Sequence, residues 1–166
     1  TLGENEVDGQ INLNLAEKVP SFAARLTSQK FRFGQFNLDL KMTGPLEKPA
    51  IKKIDLKLGT PELAEIHLNG TVDDLKQLQG VDITFQADGK DLANLKQVIG
   101  QPLPVRGAFS AAGKVLIPVH KNLKIPDLKI TVGKNKIAGT LNLDLRGDKP
   151  QMAAKLSLPK LDLPSV

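Results

Sequence analysis

Seven stretches of this chain alternate apolar and polar residues with a period of two, and almost nothing in it has the period of a helix. Ile11-Asn12-Leu13-Asn14-Leu15 is one, and Phe36-Asn37-Leu38-Asp39-Leu40-Lys41-Met42 is another. Ile54-Asp55-Leu56-Lys57-Leu58, Ile66-His67-Leu68 and Val81-Asp82-Ile83-Thr84-Phe85-Gln86-Ala87 continue the pattern. Asp127-Leu128-Lys129-Ile130-Thr131-Val132 and Leu141-Asn142-Leu143-Asp144-Leu145 complete it. Successive side chains of a strand point to opposite faces, so each stretch predicts a strand with one dry and one wet face. A parallel βαβ sheet would instead show continuous apolar strands separated by amphipathic helices. Turn signals such as Gly44-Pro45, Gly59-Thr60-Pro61, Gly133-Lys134-Asn135 and Gly147-Asp148-Lys149-Pro150 separate the stretches, mostly by the short gaps of hairpins. The pattern predicts an all-β, mainly antiparallel fold with one or two short helices. One helix is expected where Asp91 caps residues 92–99, with Leu92, Leu95, Val98 and Ile99 on one stripe and Gly100 as terminator. At about two turns it is marginal alone and must lean on apolar surface, as a plug at one end of the sheet.

The 166 residues read as one domain built of about 2.5 internal repeats. Residues 9–33 align with 139–163 without a gap, at an offset of 130, and nine of the 25 positions are identical. The identities include Gly9/Gly139, Leu13/Leu143, Pro20/Pro150, Ala24/Ala154 and Leu26/Leu156, while Arg25/Lys155 is conservative. A looser middle copy starts at Gly70 and runs over 70–95, with extra residues around Asp74 to Gln79. Asp55-Leu56-Lys57-Leu58 returns as Asp127-Leu128-Lys129-Ile130 and Met42-Thr43-Gly44 as Ala111-Ala112-Gly113, so one unit is about four strands. Repetition implies an object that stacks unit on unit and can continue beyond both ends. The chain starts at Thr1 with no basic and apolar leader and reads as an excised piece of a longer protein.

Strands with one dry face need a cover, and the sequence supplies almost no helix to provide it. Two solutions remain. The sheet closes into a sandwich or barrel with a solid core, or it curves into an open groove or half-barrel whose apolar inside is filled by something else. The second is the leading expectation. The inside set is Ile11, Leu13, Leu15, Phe36, Leu38, Leu40, Ile54, Leu56, Leu58, Val81, Ile83, Phe85, Leu141, Leu143 and Leu145. These side chains are aliphatic or Phe, without polar anchors, which suits flexible hydrocarbon chains better than a ligand that needs oriented hydrogen bonds.

Composition narrows the functions. Trp and Tyr are absent, which argues against a transmembrane barrel with its aromatic girdles and against a single-strand nucleic-acid binder with its stacking platforms. The net charge of +5 rests on 19 Lys and only four Arg, so it reads as strand solubility and edge protection rather than bidentate nucleic-acid readout. Cysteine is absent, so no disulfide or thiolate metal site exists. His67 and His120 have no metal-ligand spacing, and no phosphate loop or nucleophile elbow is present. Asp39, Asp55, Asp82, Asp127 and Asp144 recur on polar strand faces and are expected to be solvent-facing partners of neighbouring Lys. No metal, cofactor or catalytic residue is expected, and the chain is read as not an enzyme.

Three passages carry a family resemblance. Gly44-Pro45-Leu46-Glu47-Lys48-Pro49-Ala50-Ile51 followed by Ile54-Asp55-Leu56-Lys57-Leu58-Gly59 is the first, and Gly100-Gln101-Pro102-Leu103-Pro104-Val105-Arg106-Gly107-Ala108-Phe109 is the second. The third runs from Asp127-Leu128-Lys129-Ile130 through Gly139-Thr140-Leu141-Asn142-Leu143-Asp144-Leu145 to Pro159-Lys160-Leu161-Asp162-Leu163. Together they resemble the AsmA family of bacterial envelope proteins and its TamB-like relatives. The resemblance implies a periplasmic protein whose parent is anchored in the inner membrane. It also implies a long β groove of the bridge-like lipid transfer type that supports outer-membrane assembly or lipid transport. The partners it implies are phospholipids or other acyl-chain lipids, neighbouring repeats of the same protein and envelope proteins. It brings no catalytic residues. The alternative function is a structural or assembly module with a closed core and no ligand.

Overall fold

The computed structural model describes residues 6–16, 18–31, 34–96, 100–102 and 106–158. Ten strands follow one another: β1 Glu6–Asn14, β2 Ser21–Phe31, β3 Gly34–Thr43, β4 Ala50–Thr60, β5 Ala64–Asp74, β6 Gln79–Gly89, β7 Phe109–Ile117, β8 Asn122–Val132, β9 Asn135–Asp144 and β10 Gln151–Ser157. They form a single sheet whose spatial order is the chain order, and every neighbouring pair is antiparallel. β1 pairs only with β2 and β10 only with β9, so the sheet stays open. The fold is the all-β open groove, and a closed sandwich or barrel is not formed.

Among the described residues no second layer covers the apolar face. Among the described residues the buried apolar side chains are the small ones, Ala24, Ala50, Val72 and Val81, and no large side chain is fully buried. The surface area is 11814 Å², against about 8,000 Å² for a compact monomer of this mass. Cohesion therefore comes from ladder hydrogen bonds and from side chains packed against neighbours on the same face, rather than from a two-layer core.

Three strands carry an extra residue: β2, near Gln29, where its register shifts against both β1 and β3, and β4 and β8. In β4, Ile51 faces Val72 and Ile54 faces Gly70, so Lys52 and Lys53 together span a bulge. In β8, Ile125 faces Leu141 and Leu128 faces Gly139, which puts a bulge at Pro126-Asp127. Pro126 has no N–H to donate, and a bulge is one of the few sheet positions that tolerates this.

The glycines that open the aligned segments, Gly9, Gly70 and Gly139, lie in β1, β5 and β9, four strands apart. All three meet the next strand in the same way. A Cβ on Gly9 would stand 2.2 Å from the Arg25 carbonyl oxygen, one on Gly70 2.0 Å from that of Asp82, and one on Gly139 2.0 Å from that of Lys155. Only glycine permits this approach of one backbone to another. Large side chains fill the space that other glycines leave: Phe85 lies over its partner Gly113 and Phe109 over Gly89.

The one helix in the described residues is a single 3-10 turn, Leu92–Leu95. Asp91 caps it as expected, its carboxylate accepting from the Ala93 N–H at 2.9 Å, and the same oxygen accepts from Gly107 N–H at 2.9 Å. These two backbone donors hold the Asp91 carboxyl below the usual carboxylate range. Gly100 N–H closes on the Lys96 carbonyl at 2.8 Å with φ +80, as a helix terminator does. Val98 and Ile99 of the expected stripe lie outside the described residues. The Asn94 side chain donates to the Glu62 carbonyl at 2.7 Å, so the turn sits against the β4–β5 connection at one end of the sheet. Residues 32–33, 103–105 and 159–163 of the repeat and the resemblance also lie outside the described residues.

Candidate functional site

The register assigns each residue to a face without ambiguity, because directly opposed residues share one. One row crosses seven strands as Gly9, Leu26, Leu38, Leu56, Leu68, Phe85 and Gly113. The next runs Ile11, Ala24, Leu40, Ile54, Gly70, Ile83 and Val115. A third runs Leu13, Phe22, Met42, Ile51, Val72, Val81 and Ile117. A fourth runs Ser28, Phe36, Leu58, Ile66, Ala87, Ala111, Ile130 and Ile137. Leu128, Gly139 and Leu156, then Ile125, Leu141 and Ala154, then Leu123, Leu143 and Met152, carry the same face to the last strand. No charged side chain stands in any of these rows. The sole hydroxyl among them, on Ser28, is buried with no hydrogen-bond partner among the described residues.

Thirteen of the fifteen expected lining residues fall on this face. Leu15 and Leu145 do not: they lie one residue beyond the ends of β1 and β9, in the turns, 68% and 43% exposed. The lining also includes residues outside the expected set, on β2, β5, β7, β8 and β10. The strand β2 supplies Phe22 and Leu26, and β10 supplies Met152 and Leu156. Lining side chains on the central strands are half-buried by one another, whereas Ile11 at 63% and Met152 at 72% stand open at the two edges.

The opposite face is wet. Lys53 donates to Asp39 at 2.8 Å and Arg25 approaches the same oxygen at 3.6 Å. The Lys53 hydrogen bond, ahead of the attraction of Lys53 and Arg25, lowers the Asp39 pKa. Lys114 pairs with Asp82 at 3.2 Å and Lys129 with Asp127 at 3.8 Å. Two of the five expected Asp–Lys pairings differ. Asp55 meets His67 Nε2 at 3.0 Å, because the register brings β4 and β5 together there. Asp144 takes a fork from Arg146, at 2.9 Å and 2.6 Å, and these hydrogen bonds lower its pKa to about 2. Exposed pairs of this kind fix solubility and register more than stability.

A depression of about 350 Å³ on this wet side is lined by Asn37, Lys57, His67, Gln86 and Asp88 among others. Its polar groups are spread over separate strands, and among the described residues no Ser, Thr or Cys lines it. The described residues contain no group of three or more His, Cys, Asp or Glu that could hold a metal ion. His120 Nδ1 bonds the Gln77 carbonyl and ties two neighbouring turns together. Among the described residues no helix is long and apolar enough to cross a membrane. Among the described residues the apolar face is thus an extended surface without an internal partner. No protein-family model, curated protein or solved structure matches this chain.

Proposed function

We propose that the apolar face is a groove for lipid acyl chains and that the chain is a non-catalytic segment of a lipid-handling envelope protein. One observation carries this reading: a lining continuous over ten strands, free of charged residues and covered by none of the described residues. Burial of hydrocarbon on such a surface contributes about 25 cal/mol per Å² and has no preferred direction. A chain held this way slides from strand to strand, because no polar anchor fixes one position. Head groups stay in water beside the strand ends. The passages that resemble the AsmA family extend the proposal to a periplasmic location, a parent anchored in the inner membrane and a part in outer-membrane assembly or lipid transport. Phospholipid is the proposed cargo, neighbouring repeats and envelope proteins are the proposed partners, and no cofactor is involved.

A second reading keeps the chain as an assembly module. It is favoured by the two edge strands, since every residue of β1 and of β10 is exposed and an extended partner could pair with either. Lipid extraction of the purified protein followed by mass spectrometry, with titration of a fluorescent fatty acid, separates the two. Co-purified lipid and saturable probe binding are expected. An empty extract together with no probe binding would leave the module.

A further inference from the structure

In an antiparallel meander the turns after odd-numbered strands gather on one margin of the sheet. Here those turns are residues 15–20, 44–49, 75–78, 118–121 and 145–150. Each carries a large aliphatic side chain in the open: Leu15 (68% exposed), Leu46 (79%), Leu78 (49%), Val119 (39%) and Leu145 (43%). Each also carries an exposed lysine, Lys18, Lys48, Lys76, Lys121 or Lys149. None of these five lysines forms an ion pair among the described residues, whereas six other Lys and Arg side chains do. The opposite margin differs. Its Leu63, Leu92 and Leu95 are half-buried around the 3-10 turn, and its exposed large hydrophobics among the described residues lie at the two edge strands, Val7 at the start of β1 and Leu158 directly after β10.

The tips recur every two strands, a pitch of about 10 Å, so five of them make a line about 40 Å long. They cannot serve the groove, because they project past the strand ends. Leu46 sits between Pro45 and Pro49 at the far end of its turn. Protein interfaces favour aromatic residues and Arg at their centre. This margin offers Leu, Val and five Lys beside two exposed carboxylates, Glu47 and Asp148, with Arg146 already held by Asp144. Aliphatic side chains that enter the head-group layer beside lysines that meet phosphates are the chemistry of interfacial membrane binding.

We infer that this margin docks on an anionic bilayer surface, with the five aliphatic tips inserted and the five lysines against the lipid phosphates. The inference goes beyond the groove reading and stands without it. The test is co-sedimentation of the full chain with vesicles of phosphatidylcholine alone or mixed with phosphatidylglycerol. Partition onto the mixed vesicles, weakened by salt, is expected. Lys48→Glu/Lys76→Glu/Lys121→Glu and, separately, Leu46→Ser/Leu78→Ser/Val119→Ser should each reduce it at least about tenfold. Both sets touch exposed positions, so circular dichroism and fatty-acid binding should match the parent. Leu56→Asp, on the lining, should leave vesicle binding unchanged, which keeps the two readings separable. Equal partition of parent and margin variants overturns the inference. Failure of the parent to bind either vesicle also overturns it and leaves the margin to an acidic protein.

Discussion

Leu56→Asp is expected to abolish fatty-acid binding while leaving the chain folded. Leu56 stands near the centre of the lining, opposite Leu38 on β3 and Leu68 on β5. It is half-buried by these neighbours, with no layer of described residues above it. A carboxylate there keeps contact with water in the empty groove, so the stability cost should be about 1–2 kcal/mol, the loss of apolar contacts on one side. Laying an acyl chain over it removes that water. The uncompensated burial should weaken binding on the order of a hundredfold or more. In a two-layer core the same carboxylate would be dry from the start, and the domain would unfold. Fluorescent fatty-acid titration and thermal melts of the same samples check both halves. A variant that melts early and one that binds normally each argue against an open groove, by different routes.

The second large effect is steric. Gly70→Ala should destabilise the fold by about 3 kcal/mol or more, because the new Cβ has no rotamer with which to escape. It would stand 2.0 Å from the Asp82 carbonyl oxygen and 2.7 Å from the Ile83 Cα, both backbone atoms of the paired strand. For a chain of this length the melting temperature should fall by about 10 °C. Gly147→Ala is the control, since its Cβ would meet nothing nearer than the Lys149 carbonyl at 3.8 Å. Equal melting temperatures for the two variants would mean that β5 and β6 do not approach as closely as described. Gly9→Ala and Gly139→Ala should behave like Gly70→Ala, scaled down at the edges, where fewer strands must move.

Much of the groove was legible because period-two alternation is a local property. The strands β3, β4 and β6 place Leu, Ile, Phe and Val on one face and Asp, Lys and Thr on the other, and their lining residues fell where expected. The cap at Asp91 and the stop at Gly100 were legible for the same reason. Other strands are muted. On β2 the lining reads Phe22, Ala24, Leu26, Ser28, and on β7 it includes Ala111 and Gly113. Small residues are needed there because Leu40 faces Ala24 and Phe85 faces Gly113 across the adjoining strands, yet Ala, Gly and Ser give hydropathy little to alternate.

Bulges hide more. Ile51 and Ile54, and Ile125 and Leu128, are three apart and still share a face, which a strict period of two assigns to opposite sides. Leu15 and Leu145 show the converse error, an alternation followed one residue past the strand. The choice between an open and a closed sheet had no local signal at all. It depends on whether β1 and β10 meet, a relation between residues more than a hundred positions apart.

The spatial order of the strands has a consequence for how the chain folds. Strong contacts join only strands that are consecutive in sequence, from β1·β2 through to β9·β10. Every ladder therefore closes over one short hairpin, apart from β6 and β7 with the 3-10 turn between them. All-β domains are usually slow to fold because their pairings span long loops. This topology contains almost none, so folding can start at any hairpin and spread in both directions by adding strands one at a time. Loss of structure should run the other way. Native-state hydrogen exchange should find the slowest amides in β4 to β6, with protection decreasing strand by strand toward β1 and β10.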